Sequence, residues 1–207
     1  MPYADSNGIR IYYEVEGQGV PLMLMHGFAG SLDSWHNYGY TRELRKDYRL
    51  IMLDARGHGG SDKPHEVAAY RPDLFTNDVV AILDDLKLEK VHYFGYSQGA
   101  AVGFKSIARY AISRFHSLIL GGMSPYGITA EAEKRWSRAL TETMQTAAEQ
   151  GMSAFIAFFE KLSGPMLPGE RALYLKNDPW ALLAMRKAYA EWPGAFTAAV
   201  AIFGRED

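Results

Sequence analysis

The sequence contains no cysteine. That excludes disulfides, thiolate metal sites and a cysteine nucleophile, and it is compatible with any redox compartment. Net charge is nearly absent as well: 22 Lys and Arg stand against 24 Asp and Glu, giving −2, with the two signs interspersed. Nothing in that balance favours nucleic acid or an anionic membrane surface as a partner. No apolar run approaches the ~20 residues that a membrane-spanning helix needs. The opening Met1-Pro2-Tyr3-Ala4-Asp5 lacks a basic region followed by an apolar one, so the default expectation is a cytoplasmic protein. No glycine cluster forms a phosphate loop at the first strand–helix turn, and no close His/Asp/Glu group has metal-ligand spacing. No cofactor and no metal are expected. Internal repeats and low-complexity segments are lacking too.

What remains is a chain of 207 residues, 48% hydrophobic and 22% charged, enough for one domain, or one domain with an insertion, around a large core. Residues 9–16 alternate with Ile9, Ile11, Tyr13 and Val15 on one face, a strand for which 3–6 is a hairpin partner. Residues 20–25 form a continuous apolar run suited to burial on both faces. Further strands are expected at 48–53, 91–96 and 116–120, and helices at 34–46, 73–86 and 98–110. Repeated alternation of short apolar strands with helices predicts an α/β fold, a mostly parallel sheet with helices on both faces. Function in such sheets sits at the carboxyl ends of the strands. The glycine-containing segments after Met25, Leu53 and Tyr96 all fall at that edge.

The most informative stretch is Val91-His92-Tyr93-Phe94-Gly95-Tyr96-Ser97-Gln98-Gly99-Ala100. A β-prone run enters Gly-x-Ser-x-Gly and leaves as a small-residue helix, the context in which that motif carries meaning. Ser97 must take a strained conformation that lifts its hydroxyl off the sheet, and Gly95 and Gly99 remove the Cβ atoms that would clash. Gln98 opens the helix, so its N–H is one of the donors left without an intrahelical partner.

From Ser124 onward the pattern turns helical. The predicted organisation is a core at 1–124, a helical cap or lid at 125–196, and the start of a returning core segment at 197–207. Most apolar residues of the helical part read as core. Met144, Phe155 and Phe159 are also candidates to contact a substrate, together with Phe28 from the early loop.

Three motifs in order resemble the α/β-hydrolase superfamily, its small esterase-like and chloroperoxidase-like members in particular: His26-Gly27-Phe28, the loop Asp54-Ala55-Arg56-Gly57-His58-Gly59-Gly60-Ser61, and Gly95-Tyr96-Ser97-Gln98-Gly99. The resemblance covers roughly the first 125 residues. It implies that Ser97 is the nucleophile in hydrolysis of an ester or related small acyl substrate through an acyl-enzyme. It also implies that the backbone N–H groups of Phe28 and Gln98 form the oxyanion hole, and that Asp54 and Arg56 fasten their own loop. Serine at position 97 argues against the branches that attack with a carboxylate.

The resemblance further implies an acid and then a histidine after the serine. Asp207, following the run 199–203, reads either as that acid or as a charged terminus. All six histidines precede Asp207 and none occupies the expected place. The C-terminal strand and helix of the fold are therefore expected to be missing, activity of this 207-residue form to be impaired, and the bared sheet edge to promote self-association. Two other readings stand beside the serine hydrolase: a non-catalytic ligand-binding or receptor protein on the same fold, and a cofactor-free haloperoxidase or perhydrolase activity that needs the same complete triad.

Overall fold

The computed structural model describes residues 2–122, 130–189 and 192, with the backbone alone described at 130, 132 and 133. In chain order its main elements are β1 (Tyr3–Ser6), β2 (Ile9–Glu16), β3 (Val20–Met25), α1 (Asp33–Asn37), α2 (Tyr40–Leu44), β4 (Tyr48–Leu53), α3 (Pro72–Asp85), β5 (Val91–Tyr96), α4 (Gln98–Val102), α5 (Ala108–Tyr110), β6 (Phe115–Gly121), α6 (Ala130–Gln150), α7 (Ser153–Ser163), α8 (Pro168–Leu175) and α9 (Pro179–Tyr189).

Side chains of a strand alternate between its two faces. In β3 and β4, Met23, Met25, Ile51 and Leu53 enter one buried cluster, while Leu22, Leu24, Leu50 and Met52 enter another. Consecutive apolar residues, 22–25 in β3 and 50–53 in β4, require cover on both faces. Phe75, Val79, Ile82 and Leu83 of α3 supply it on one side, and Trp35 of α1 with Leu44 of α2 on the other. The sheet order is β1-β2-β4-β3-β5-β6. β1 and β2 pair antiparallel, and β2 pairs antiparallel with β4. β4, β3, β5 and β6 run parallel. The mixed sheet with helices on both faces is the architecture that the alternation of elements predicts.

Two helices depart from expectation. The single helix expected over 34–46 is two short ones, because Gly39 turns the backbone left-handed at φ +79° between them. The helix expected over 98–110 contains a wide turn at Gly103–Ile107. There the helix lies close against β6: a Cβ at position 103 would meet Leu120 Cδ2 at 2.4 Å.

The loop after β4 is held by a buried ion pair. Arg56 Nε donates to Asp78 Oδ2 at 2.6 Å and Arg56 Nη1 to Ala69 O at 2.6 Å. Removing one partner of such a pair costs about 3–5 kcal/mol, because the other is left charged and buried. Asp54 accepts the Leu32 and Gly60 N–H groups, each at 2.7 Å, and so ties this loop to the one after β3.

The helical region is fastened to the sheet by specific contacts. Asn177 Nδ2 donates to Ala29 O at 2.6 Å, and Trp192 Nε1 to Tyr70 O at 3.0 Å. No helix among the described residues is long and apolar enough to cross a membrane. Residues 197–203, expected to return to the sheet, lie outside the described residues, as does Asp207.

Candidate active site

β3 and β5 are neighbours, but the strand after β3 lies on one side of the pair and the strand after β5 on the other. Such a switch point opens a crevice beyond the carboxyl ends of the two strands. Gly27 and Phe28 follow β3 into it, and Ser97 follows β5.

Ser97 has φ +50° and ψ −103°, a conformation that non-glycine residues adopt at a cost. The turn leaves no room for side chains beside it. A Cβ at position 95 would lie 2.4 Å from the Gly99 carbonyl carbon, and one at position 99 would lie 2.3 Å from Met25 O. The loop after β3 passes just as near, since a Cβ at Gly27 would come within 3.3 Å of Ser97 Cβ. The Ser97 N–H donates to Gly121 O at 2.8 Å and the Gly99 N–H to His26 O at 3.2 Å. These bonds lock the turn between β3 and β6.

The amides around Ser97 divide into engaged and unengaged. Ala29 N–H donates to His58 Nε2 at 3.1 Å, and the Ser97 and Gly99 N–H groups are spent as above. The N–H groups of Phe28 and Gln98 have no acceptor among the described residues. Gln98 is the first residue of α4, where helix geometry supplies none.

His26, in the loop after β3, and His58, in the loop after β4, are structural. His26 Nδ1–H donates to Gly27 O at 2.8 Å while its Nε2 accepts Ala55 N–H at 3.1 Å. His58 Nδ1–H donates to Arg56 O at 3.1 Å while its Nε2 accepts Ala29 N–H. Both rings are thereby fixed as neutral tautomers with no nitrogen to spare. Burial pushes both below the ordinary histidine range. Asp54 opposes the shift at His26, and the neighbouring His26 adds to it at His58. The other histidines are occupied elsewhere: His36 with Thr41 at 3.1 Å, His65 with Asp178 at 2.9 Å, His92 with Ser117 at 2.8 Å. His116 stacks on His92 with ring centroids 5.2 Å apart, near the start of β6.

A cavity of about 960 Å³ opens over Ser97, between the carboxyl edge of the sheet and helices α6 to α9. Phe28, Phe155 and Phe159 all line it. Their rings form a continuous wall, with centroids 6.0 Å apart for Phe28–Phe155 and 4.7 Å for Phe155–Phe159. Met144 does not contribute, contrary to expectation. Trp136, Ser137 and Leu140 are the α6 residues at the cavity, and Met144 lies a turn further along, 0% exposed in the core.

Arg186 is a lining residue that the sequence reading does not single out. It follows the apolar positions Leu182 and Leu183 of α9 by one helical turn and precedes Tyr189 by three residues. A cation on the apolar stripe of an amphipathic helix is the signal that would have found it.

Glu14, Glu16 and His36 bring donor atoms within 4.8 Å of one another, outside the cavity lining. His36 Nε2 lies 3.8 Å from each carboxylate, Tyr12 Oη donates to Glu14 at 2.6 Å, and Arg45 lies 3.7 Å from Glu16. Ion pairing with the protein's own groups accounts for this cluster.

Residues 20–197 match the family model described as the alpha/beta hydrolase fold. A Bacillus subtilis (strain 168) protein, provisionally named a 2-succinyl-6-hydroxy-2,4-cyclohexadiene-1-carboxylate synthase, is 30% identical over 174 residues. The match takes in 81% of this chain and 60% of that protein. The 2-hydroxymuconate semialdehyde hydrolase of Pseudomonas sp. (strain CF600) is 31% identical over 132 residues, 62% of this chain and 46% of that one. Among solved structures, an esterase from Exiguobacterium antarcticum superposes with a TM-score of 0.72 at 25% identity, over 90% of this chain and 72% of the esterase. The chain thus spans 60% or less of the length of these two curated relatives. The strand order, the strained serine turn at the switch point and the match over residues 20–197 converge: this chain belongs to the α/β-hydrolase fold family.

Proposed function

We propose that the chain carries the nucleophile half of a serine hydrolase acting on an ester or related acyl substrate. Ser97 Oγ attacks the acyl carbon, the alcohol or enol leaves, and water later releases the acyl group from Ser97. The N–H groups of Phe28 and Gln98 receive the negative charge that develops on the carbonyl oxygen. Preorganised donors of that kind are worth about 3–4 kcal/mol each. The aromatic wall of Phe28, Phe155 and Phe159 holds the acyl chain, with the helices α6 to α9 as a cap. The observation that carries this reading is the Ser97 backbone at φ +50°, at a cavity where the Phe28 and Gln98 amides have no acceptor among the described residues. Relatives named as hydrolase and esterase support it.

Attack by a serine hydroxyl requires a base. On this reading none of the six histidines serves, since His26 and His58 spend both ring nitrogens on the backbone and the rest are engaged elsewhere. Asp207, the candidate acid, has no described position. We therefore expect the 207-residue chain to react at Ser97 slowly. The test is labelling by a fluorophosphonate, with p-nitrophenyl butyrate hydrolysis beside it. The expected result is one label, lost in Ser97→Ala, and weak Ser97-dependent turnover. Turnover at ordinary esterase rates, above all turnover lost on replacing one of the six histidines, would overturn the assignment of the missing base. Absence of any label at Ser97, with small molecules still bound in the cavity, would favour a ligand-binding protein on this fold.

A further inference from the structure

We propose that the cavity over Ser97 takes a substrate bearing a carboxylate, and that the Arg186 guanidinium holds it; the inference rests on the reading of Ser97 as the acyl acceptor.

Arg186 is only 9% exposed, yet among the described residues it has no carboxylate partner. Its Nη2 donates to Ser137 Oγ at 3.0 Å, and its Nε is buried without an acceptor. The guanidinium carbon lies 5.9 Å from the Phe28 ring centre and 5.3 Å from that of Tyr189. Two aromatic faces stabilise a cation partially and satisfy none of its N–H groups. An unpaired buried charge is among the costliest arrangements a protein holds, and each buried orphan atom calls for an explanation.

The orphans cluster. Buried side-chain atoms without a partner among the described residues belong to Ser6, Trp35, Gln98, Arg186 and Tyr189. All but Ser6 line the Ser97 cavity. Gln98 and Tyr189 approach each other without an aligned hydrogen bond, leaving Gln98 Oε1 and Tyr189 Oη open. Burial pushes the Tyr189 phenol far up, so it stays neutral and can donate. A cavity that holds a buried arginine with no carboxylate partner among the described residues, beside the Phe28, Phe155 and Tyr189 rings, suits a largely apolar molecule with one anionic end.

A planar carboxylate matches the planar guanidinium fork. The same cavity also contains Lys105 and Glu170, the latter accepting from Tyr174 Oη at 3.2 Å, so both signs of charge line it. Phosphate is the competing anion in the titration below; the aromatic wall beside Arg186 favours an anion carried on an apolar chain. The substrate class is therefore an acyl compound with a free carboxylate away from the reacting carbonyl.

The experiment uses the 207-residue chain and two readouts. Glutarate, dimethyl glutarate and inorganic phosphate are titrated calorimetrically into the unmodified chain, Ser97→Ala, Arg186→Met and Arg186→Lys. In parallel, the Ser97 acylation burst is compared for mono-p-nitrophenyl glutarate and p-nitrophenyl butyrate. Glutarate is expected to bind about 10- to 100-fold more tightly than its dimethyl ester, the range of a charge-assisted hydrogen bond. The preference should persist in Ser97→Ala, shrink in Arg186→Lys and vanish in Arg186→Met, and the burst should favour the glutarate monoester by a similar factor. Equal binding of glutarate and its diester by the unmodified chain overturns the proposal, whatever the variants do. So does phosphate binding as tightly as glutarate. Equal bursts with both esters would sink the carboxylate assignment and leave the acyl chemistry standing. Glutarate preference with no acylation of Ser97 would do the reverse.

Discussion

Gly99 lies against Met25 so closely that a Cβ at position 99 would stand 2.3 Å from the Met25 carbonyl oxygen, while the Gly99 N–H donates to the next carbonyl, His26 O, at 3.2 Å. The helix that follows Ser97 is thus clamped onto the end of β3. This contact sets where Ser97 stands relative to Phe28. Backbone atoms on both sides cannot yield as a side chain would. Gly99→Ala is expected to destabilise the fold by about 2–4 kcal/mol, at the upper end of the range for overpacking. Labelling at Ser97 should be lost even where the chain still folds. Urea denaturation read beside fluorophosphonate labelling checks both; an unchanged midpoint would contradict the clamp.

Strain at Ser97 makes a second expectation of unusual sign. Glycine adopts φ +50° without steric penalty, which relieves about 1–3 kcal/mol, against about 0.5–1 kcal/mol of added freedom in the unfolded chain. Ser97→Gly should therefore abolish labelling and raise stability by about 0.5–2 kcal/mol, whereas Ser97→Ala, still bearing a Cβ, should not. Thermal denaturation distinguishes them, since each kcal/mol moves the midpoint by about 2–4 °C at this size. Loss of stability in Ser97→Gly would mean that the turn carries no strain.

Acid sensitivity follows from His26 and His58. Burial holds both below the ordinary value of 6.5 in the folded chain. As pH falls through about 6.5, the unfolded chain takes up protons that the folded chain does not, so stability is complete above that value and declines below it. Each histidine contributes a slope of up to about 1.4 kcal/mol per pH unit. His92, lowered by its own burial and by His116, acts in the same direction. Asp78, pushed up by burial against the pull of Arg56, acts in the opposite direction, in more acid solution. Urea titrations at pH 7.5, 6.5 and 5.5 should show the decline, and His58→Gln should lessen the slope by about one proton. A flat profile over that interval would refute the neutral assignment.

The outer edge of β6 carries the fourth expectation. Among the described residues β6 pairs with β5 alone, and Ile119 is 52% exposed. An unprotected parallel strand with apolar side chains invites association. The chain should form dimers or larger species at micromolar concentration, and Ile119→Lys should shift it towards monomer. Light scattering showing a sharp monomer for the unmodified chain would remove this expectation.

Period-two alternation and short apolar runs were sufficient to place all six strands, because burial on two faces leaves a mark at every one of residues 22–25 in β3 and 50–53 in β4. Helix interruptions were harder to read. Gly39 splits α1 from α2 through a backbone conformation that periodicity does not register, and the wide turn after α4 answers to Leu120, seventeen residues away. The same distinction explains the candidate substrate contacts. Phe155 and Met144 look equally apolar in sequence, but only the packing of α6 against α7 and α9 turns one to the cavity and the other to the core.

The amino-acid sequence by itself determined the sheet, its serine turn and the two loops that meet there, because these depend on local chemistry: glycine where no Cβ fits, apolar residues where both faces are covered. Tertiary structure alone decided that His26 and His58 are consumed by the backbone, that the Phe28 and Gln98 amides have no acceptor among the described residues, and that Arg186 ends buried at the cavity that Ser97 also lines. Those outcomes depend on which groups find partners across the fold, and hydrogen-bond partners are chosen by proximity in space, which sequence distance does not encode.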